Sequence, residues 1–237
     1  MDELVSRESV KLGDGWAEGL RLAFPVVVGY IPVGFAFGVL AQKFGLSTFN
    51  ALAMSVLVYA GSSQYIAIGL LAASAPWLSV VFTTFVVNLR MMLMSAALSP
   101  FLHGWSKPEL ALFAQQLTDE TFAVHATQFA AAPPEKRTVF AINMASQASW
   151  VLGTWLGLLG GQLVPNVEQF GLDYALPALF IALLLMQIKS RVQVAVAIAT
   201  GLLSVGLLLL GMDQWNVIVA ALIGATAGVV MEQWIKN

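Results

Sequence analysis

The sequence predicts an all-α fold: a polytopic transmembrane helical bundle of about eight spans, some of its helices broken or kinked. Three observations carry this. The 237 residues are 59% hydrophobic and only 10% charged, with a mean hydropathy of +0.81. Globular domains are roughly 45–50% apolar and about 25% charged, so this chain cannot keep its apolar residues off a soluble surface. Uncharged apolar runs recur at the length of about 20 residues that a helix needs to cross a bilayer. Trp16, Trp77, Trp105, Trp215 and Trp234 fall at the ends of those runs, where an aromatic belt meets the headgroups. The whole of 1–237 reads as one integral membrane domain.

Residues 1–20 read as a cytoplasmic or interfacial lead-in. The stretch MDELVSRESVKLGDGWAEGLR mixes acids and bases and has no apolar core of the signal-peptide kind. Segment one is the uncharged run 22–42, with Pro25, Gly29, Pro32, Gly34 and Gly38 inside it. Proline removes a helical hydrogen bond, so this segment is the expected place for a kink or a break, with Pro32 as a candidate site residue. No charge appears between Lys43 and Arg90. That gap holds two crossings, one starting at Ser47 as N-cap and one over 78–98, with a turn near AASAPW at 72–77. Segment four starts at the capping box SKPE, 106–109, and stops at Pro133-Pro134. Its length spans but its content is polar. Segments five to eight fall at 138–161, 173–188, 192–211 and 215–234.

Lysine and arginine set the orientation. With eight spans, Arg7, Lys11, Arg21, Lys136, Arg137, Lys189, Arg191 and Lys236 lie on one side, against Lys43 and Lys107 on the other. The rich side is the cytoplasm, and both termini are expected there. The chain is then expected to cross its membrane many times.

Arg90 sits deep in segment three, in VVNLRMML. Intramembrane charges are expensive and usually pair, face the bundle interior or line a pathway. Asp119 and Glu120 of segment four fall at the same depth if the two helices run antiparallel. One reading is a structural ion pair that locks a hairpin. Another is a polar site for a small charged substrate or a proton, in which one acid neutralises Arg90 and the other meets an ammonium group or carries a proton. A third makes TDET, 118–121, the start of a new helix, which would leave Arg90 without this partner.

Neutral polar residues surround that depth. Segment two carries AGSSQY, in which Gly61 allows close approach and Ser62, Ser63 and Gln64 supply donors and acceptors. They suit either interhelical hydrogen bonds or a substrate carboxylate. Segment five presents Asn143, Gln147, Trp150 and Thr154 as one polar stripe beside a ridge, Gly153-x3-Gly157-x3-Gly161. Segment eight has a similar ridge, Ala220-x3-Gly224-x3-Gly228. Both ridges are read as close packing.

Several chemistries are excluded or unsupported. The chain has no cysteine, and its net charge of −2 offers no basic field for nucleic acid. His103 and His125 are isolated, no HExxH or Walker sequence occurs, and GxSxG is absent. No catalytic constellation, cofactor or metal site is expected.

Taken together, PVGFAFG (32–38), YAGSSQY (59–65), NLRMML (88–93), LTDETFA (117–123) and GLDYALPALFIALL (171–184) resemble the AzlC family. The resemblance runs in order over roughly 16–235. It implies the large subunit of a branched-chain amino acid exporter for leucine, isoleucine and valine, and often methionine. It also implies an AzlD-like small membrane protein as partner and coupling to protons. The blocks fall on Gly61, Ser62, Gln64, Asn88, Arg90, Thr118, Asp119 and Glu120. Family members often carry histidine where this chain has Met91, which bears on coupling or substrate choice. Tyr30, Phe37, Tyr65 and Met92 are expected around the substrate side chain. Two alternatives stay open: a non-transporting membrane scaffold or assembly subunit, and a proton-coupled importer of another small zwitterion. Self-association is left open.

Overall fold

A computed structural model describes residues 15–161, scattered single positions between 163 and 188, and residues 190–212 and 216–236. The lead-in 1–14, most of segment six, most of the last family block and Trp215 lie outside the described residues. The chain divides into two compact units, Met1–Leu179 and Phe180–Asn237. All described regular structure is helical. Among the described residues, three helices are long and apolar enough to cross a membrane: Gly15–Lys43, Trp77–Phe101 and Arg191–Leu209.

In the first unit α1 (Gly15–Lys43) and α7 (Lys136–Gly160) form the central pair. They run parallel. A Cβ on Gly19 would meet Thr138 and Ala141, one on Gly34 would meet Trp150 and Thr154, and one on Gly38 would meet Thr154 and Leu158. Gly153 and Gly157 of α7 face the backbone of Ile31 and Phe35 in return. Two small-residue ridges thus bring the backbones into direct contact, as such ridges do in membranes. α1 is continuous through Pro25 and Pro32, so the expected break in segment one is not there. Both prolines lie on its exposed face.

Segments two and four, expected as single helices, are the broken ones. Segment two divides into α2 (Thr48–Ala53), a wider π turn over Met54–Val58, and α3 (Gly61–Ala72). Tyr59 between them adopts a left-handed backbone, φ +44°. The chain folds back there: Gln64 of α3 donates to Ser55 of the π turn at 3.1 Å. Ala51 of α2 and Tyr65 and Ile68 of α3 share one apolar cluster with Phe37, Leu40 and Ala41 near the end of α1.

Segment four divides into α5 (Lys107–Gln115) and α6 (Asp119–Ala131). It too folds back. Lys136, just beyond α6, bonds Glu109 in the first turn of α5 at 2.6 Å. Phe113 packs on both His125 and Phe129 between the arms. This hairpin opens at the end where α1 and α7 begin, since Gly15 faces Glu135. The α2–α3 hairpin opens at the opposite end, where α1 stops.

Between the hairpins runs α4 (Trp77–Leu98). It is antiparallel to α3, Ser63 meeting Asn88 and Ser62 meeting Arg90. Its Leu98 end joins Leu102, Phe113, Phe129 and Val139 in a second cluster. Among its described residues the first unit therefore has three through-going helices and two hairpins that enter from opposite faces, with their tips at mid-depth. Folding back also moves Lys107 to the end of the bundle that holds Lys136, which corrects its expected place opposite. The basic residues of that end then outnumber Lys43 further.

In the second unit α8 (Arg191–Leu209) starts on Ser190, whose hydroxyl accepts from Gln193 N at 3.2 Å. It pairs with α9 (Asn216–Lys236). Gly224 faces Thr200 and Gly228 faces Val196, so the pair is antiparallel and the segment-eight ridge is its seam.

Candidate functional site

The site is built where the two tips meet. Tyr30 lies about 15 residues into α1, roughly 22 Å along it at 1.5 Å per residue. Arg90 lies about 20 Å along α4 by the same rise. Irregular backbone at this depth is tolerated only where protein or a polar cavity satisfies it, and the surrounding side chains do so.

The α2–α3 tip is held from α7 and α4. Gln64 is fully buried. Its Nε2 donates to Ser55 and its Oε1 accepts from Trp150 Nε1 at 3.1 Å. Ser55 and the equally buried Thr154 lie 2.9 Å apart. Gly61 sits against the Trp150 ring, where a side chain would not fit. Ser63 donates to Asn88 Oδ1 at 2.6 Å. Ala60 provides no side-chain cap for α3, so the first amides of this half-helix face the tip without one.

The α5–α6 tip is different in kind. Thr118 caps α6, accepting from Thr121 N, while Thr121 Oγ1 accepts from Thr118 N at 2.9 Å. Asp119 and Glu120 follow in the first turn, where negative charge is favoured by the helix dipole. TDET is thus a helix start. Arg90 nevertheless keeps its partner, because the fold-back places Asp119 at the same depth that an unbroken helix would.

Arg90 joins the two tips. One terminal guanidinium nitrogen donates to Ser62 Oγ at 2.5 Å and lies 2.9 Å from Asp119 Oδ2. The Tyr30 hydroxyl lies 2.6 Å from Thr118 Oγ1 and 2.5 Å from Glu120 Oε2. Tyr59 packs edge-on against Tyr30, with ring centroids 6.3 Å apart.

α7 carries a ladder of polar rungs. Asn143 bonds His125 in the arm of α6, at 2.7 Å. Gln147 accepts from Gln116 at 2.8 Å and donates to Val56 O at 2.9 Å, so it touches both tips. Trp150 and Thr154 hold the other hairpin.

The structure therefore brings together Arg90, Asp119, Glu120, Ser62, Ser63, Asn88 and Gly61, with Gln64 and Gln147 behind them. It does not bring in Pro32, which points away on the exposed face of α1, because the chain passes the proline without breaking there. Asn143 is fully buried away from Arg90, on His125. Met92, expected near the site, is 61% exposed, since α4 turns that face outward two residues after Arg90. Tyr30, Phe37 and Tyr65 are buried beside the tips. The hydroxyl of Tyr30 and the side chains of Tyr59, Gln116 and Ser55 were not anticipated as polar members of the site. The signal for Tyr30 was a phenol inside an apolar run, which needs a partner when buried.

Among the described residues, five buried side-chain polar atoms lack a hydrogen-bond partner. Three are at the tips: Tyr59 OH, Arg90 Nε and Gln116 Oε1. No group of three or more possible metal ligands occurs among the described residues.

Residues 25–164 match the family described as AzlC protein. The chain is 35% identical to an uncharacterized membrane protein of Archaeoglobus fulgidus, over 87% of this chain and 91% of that one. It is 33% identical to the inner membrane protein YgaZ of Escherichia coli, over 89% and 86%. It is 28% identical to the branched-chain amino acid transport protein AzlC of Bacillus subtilis, over 84% and 80%. No solved structure matches. The matched region holds both hairpins and Arg90, and the chain is a membrane protein of the AzlC family.

Proposed function

We infer that the chain is a secondary transporter that exports leucine, isoleucine and valine, with methionine as a further substrate, across the bacterial cytoplasmic membrane. The proton-motive force drives it, the whole chain acts as one transporter domain, and both termini face the cytoplasm. The observation that carries this reading is Arg90, held between the first turns of two half-helices that enter from opposite faces. Broken helices with their N-termini at mid-depth suit the carboxylate of a zwitterion. Here the uncapped first turn of α3, with Ser62 and Ser63, is the place for that carboxylate, and the acids of α6 face the ammonium group. The apolar surroundings, Phe37 and Tyr65 among them, suit an aliphatic side chain.

The name of the Bacillus subtilis relative supports the substrate class. A small AzlD-like membrane protein completes the transporter in this reading. Its support is the stripe Val194, Ile198, Leu202, Val205 and Leu209 on α8, exposed at helix-packing spacing.

The test is efflux of preloaded labelled leucine and valine from cells lacking their own exporters, with and without the small partner. Efflux that needs both proteins and is lost in Arg90→Ala is the expected result. No efflux, with both proteins verified in the membrane, removes export of these amino acids and leaves another substrate or the scaffold.

A further inference from the structure

Two carboxylates share the first turn of α6, and the structure treats them differently. Asp119 faces the Arg90 guanidinium at 2.9 Å. Glu120 has no cation within ion-pair distance among the described residues, and its side chain meets a phenol instead. We propose that Glu120 is the proton-carrying carboxylate of this site, that Tyr30 positions it, and that Asp119 stays charged as the counter-ion of Arg90. This rests on the proton-driven transport reading above.

The hydroxyl chain carries the argument. Glu120 Oε2, Tyr30 OH, Thr118 Oγ1 and Thr121 Oγ1 lie in series at 2.5, 2.6 and 3.2 Å. Each hydroxyl has one proton to donate and can accept. With Glu120 ionised, the Tyr30 hydroxyl donates its one proton to the carboxylate. With Glu120 protonated, the acid donates to Tyr30, Tyr30 to Thr118, and Thr118 to Thr121, whose own proton turns to the Thr118 carbonyl 3.4 Å away. On protonation the Tyr30 proton turns from Glu120 to Thr118, so the carboxyl group keeps the phenol as partner in both states. One proton enters from water on one side as the carboxylate becomes an acid, and the same proton leaves to water on the other. Asp119 has no such freedom. Protonating it would remove the charge that balances Arg90 at mid-depth, and an unpaired buried charge is costly.

The groups facing Glu120 are consistent with this assignment. From α1 comes Tyr30 alone. Tyr59 stands behind it, its ring edge-on to Tyr30 and its hydroxyl buried. From α4 comes Arg90, already engaged by Asp119 and Ser62. The polar side chains of α7 nearest the tips are engaged elsewhere, Gln147 by Gln116 and Asn143 by His125. Glu120 is the acid whose charge can change without dismantling an ion pair.

The test is infrared difference spectroscopy of the full chain in lipid nanodiscs during a pH titration. A carboxylic-acid band is expected to appear on acidification, to vanish in Glu120→Gln and to persist in Asp119→Asn. Tyr30→Phe is expected to change the pH at which it appears. Labelled leucine in proteoliposomes supplies the second readout. Glu120→Gln is expected to lose uptake driven by a pH gradient, and Tyr30→Phe to shift the pH at which that uptake is half-maximal. A band that survives Glu120→Gln, or pH-driven flux that survives it, overturns the proposal. Wild-type protein that moves no leucine removes the substrate reading alone, because the infrared titration still decides Glu120.

Discussion

Arg90 and Asp119 form an ion pair 2.9 Å long between a through-going helix and the first turn of a half-helix. The same guanidinium nitrogen reaches Ser62 in the first turn of the other half-helix. One side chain thus closes the gap between two hairpins from opposite faces. An arginine in an apolar helix is explained by what stands around it at that depth.

Replacing Arg90 should separate stability from transport. Arg90→Ala leaves Asp119 without its cation. Loss of one partner from a fully buried pair costs roughly 3–5 kcal/mol. Here 30% of the arginine side chain is exposed, so a loss of about 2 kcal/mol is expected, with the protein still inserting. Arg90→Lys restores the charge but lacks the planar fork. Thermal unfolding in detergent should recover most of its midpoint in Arg90→Lys, while leucine efflux should not recover. Equal recovery of both would show that charge alone suffices.

The seam between α1 and α7 gives a second expectation. A Cβ at Gly157 would land on the backbone of Phe35, and one at Gly38 on that of Thr154. Backbone cannot swing aside as a flexible side chain does. Gly157→Ala should therefore overpack the seam and destabilise by about 1–3 kcal/mol. Gly201→Ala in α8, with open space around its Cα, is the control and should leave the unfolding midpoint unchanged or slightly raised.

At the mouth of the α5–α6 hairpin, Glu109 accepts from Lys136 at 2.6 Å and from Ser106 N at 2.7 Å. The Lys136 bond first, and the Ser106 bonds second, lower its carboxyl from an ordinary 4.5 to about 2. Lys136 also stands 5.5 Å from the Trp105 ring centroid. A lowered folded value means that the pair contributes fully above pH 4.5 and loses its contribution as pH falls toward 2. Both side chains are largely in solvent, so the effect is local. Amide exchange at the hairpin mouth should quicken over that window in the wild type, and Glu109→Gln should flatten the dependence.

Much of this site was legible because charge in an apolar run is a strong signal. Arg90, Asp119 and Glu120 stood out on cost alone, and their common depth followed from antiparallel neighbours. The breaks were harder to read. Proline marked segment one, yet α1 runs through Pro25 and Pro32, because a helix can lose single bonds on its exposed face and continue. Segment two breaks at Tyr59, which no turn residue announces. Its left-handed backbone is held by burial of the ring against Tyr30 and by Gln64 pinned to Ser55 and Trp150. Those contacts lie 29, 9 and 86 positions apart in the chain, and no local pattern encodes them. The start of α6 was written in TDET, but a helix start inside a spanning-length run is also compatible with an unbroken helix. The Glu109–Lys136 contact, which brings the hairpin back to its own face, decides between the two.

The ladder on α7 supplies the last expectation. Among the described residues of that helix, Gln147 is the polar side chain that bonds to both hairpins, through Val56 O and Gln116. Trp150 bonds only to the α2–α3 hairpin, through Gln64. Trp150→Phe should therefore raise amide exchange in α3 while α6 keeps its protection. Gln147→Leu should raise it at both tips, because Val56 O keeps only its 3.0 Å bond from Gln115 and Gln116 loses its acceptor. Each lost bond is worth about 1 kcal/mol, enough to speed local opening several-fold without unfolding the unit. If the two substitutions gave the same exchange pattern, α7 would be holding the hairpins as one body, and the tips would not move independently during transport.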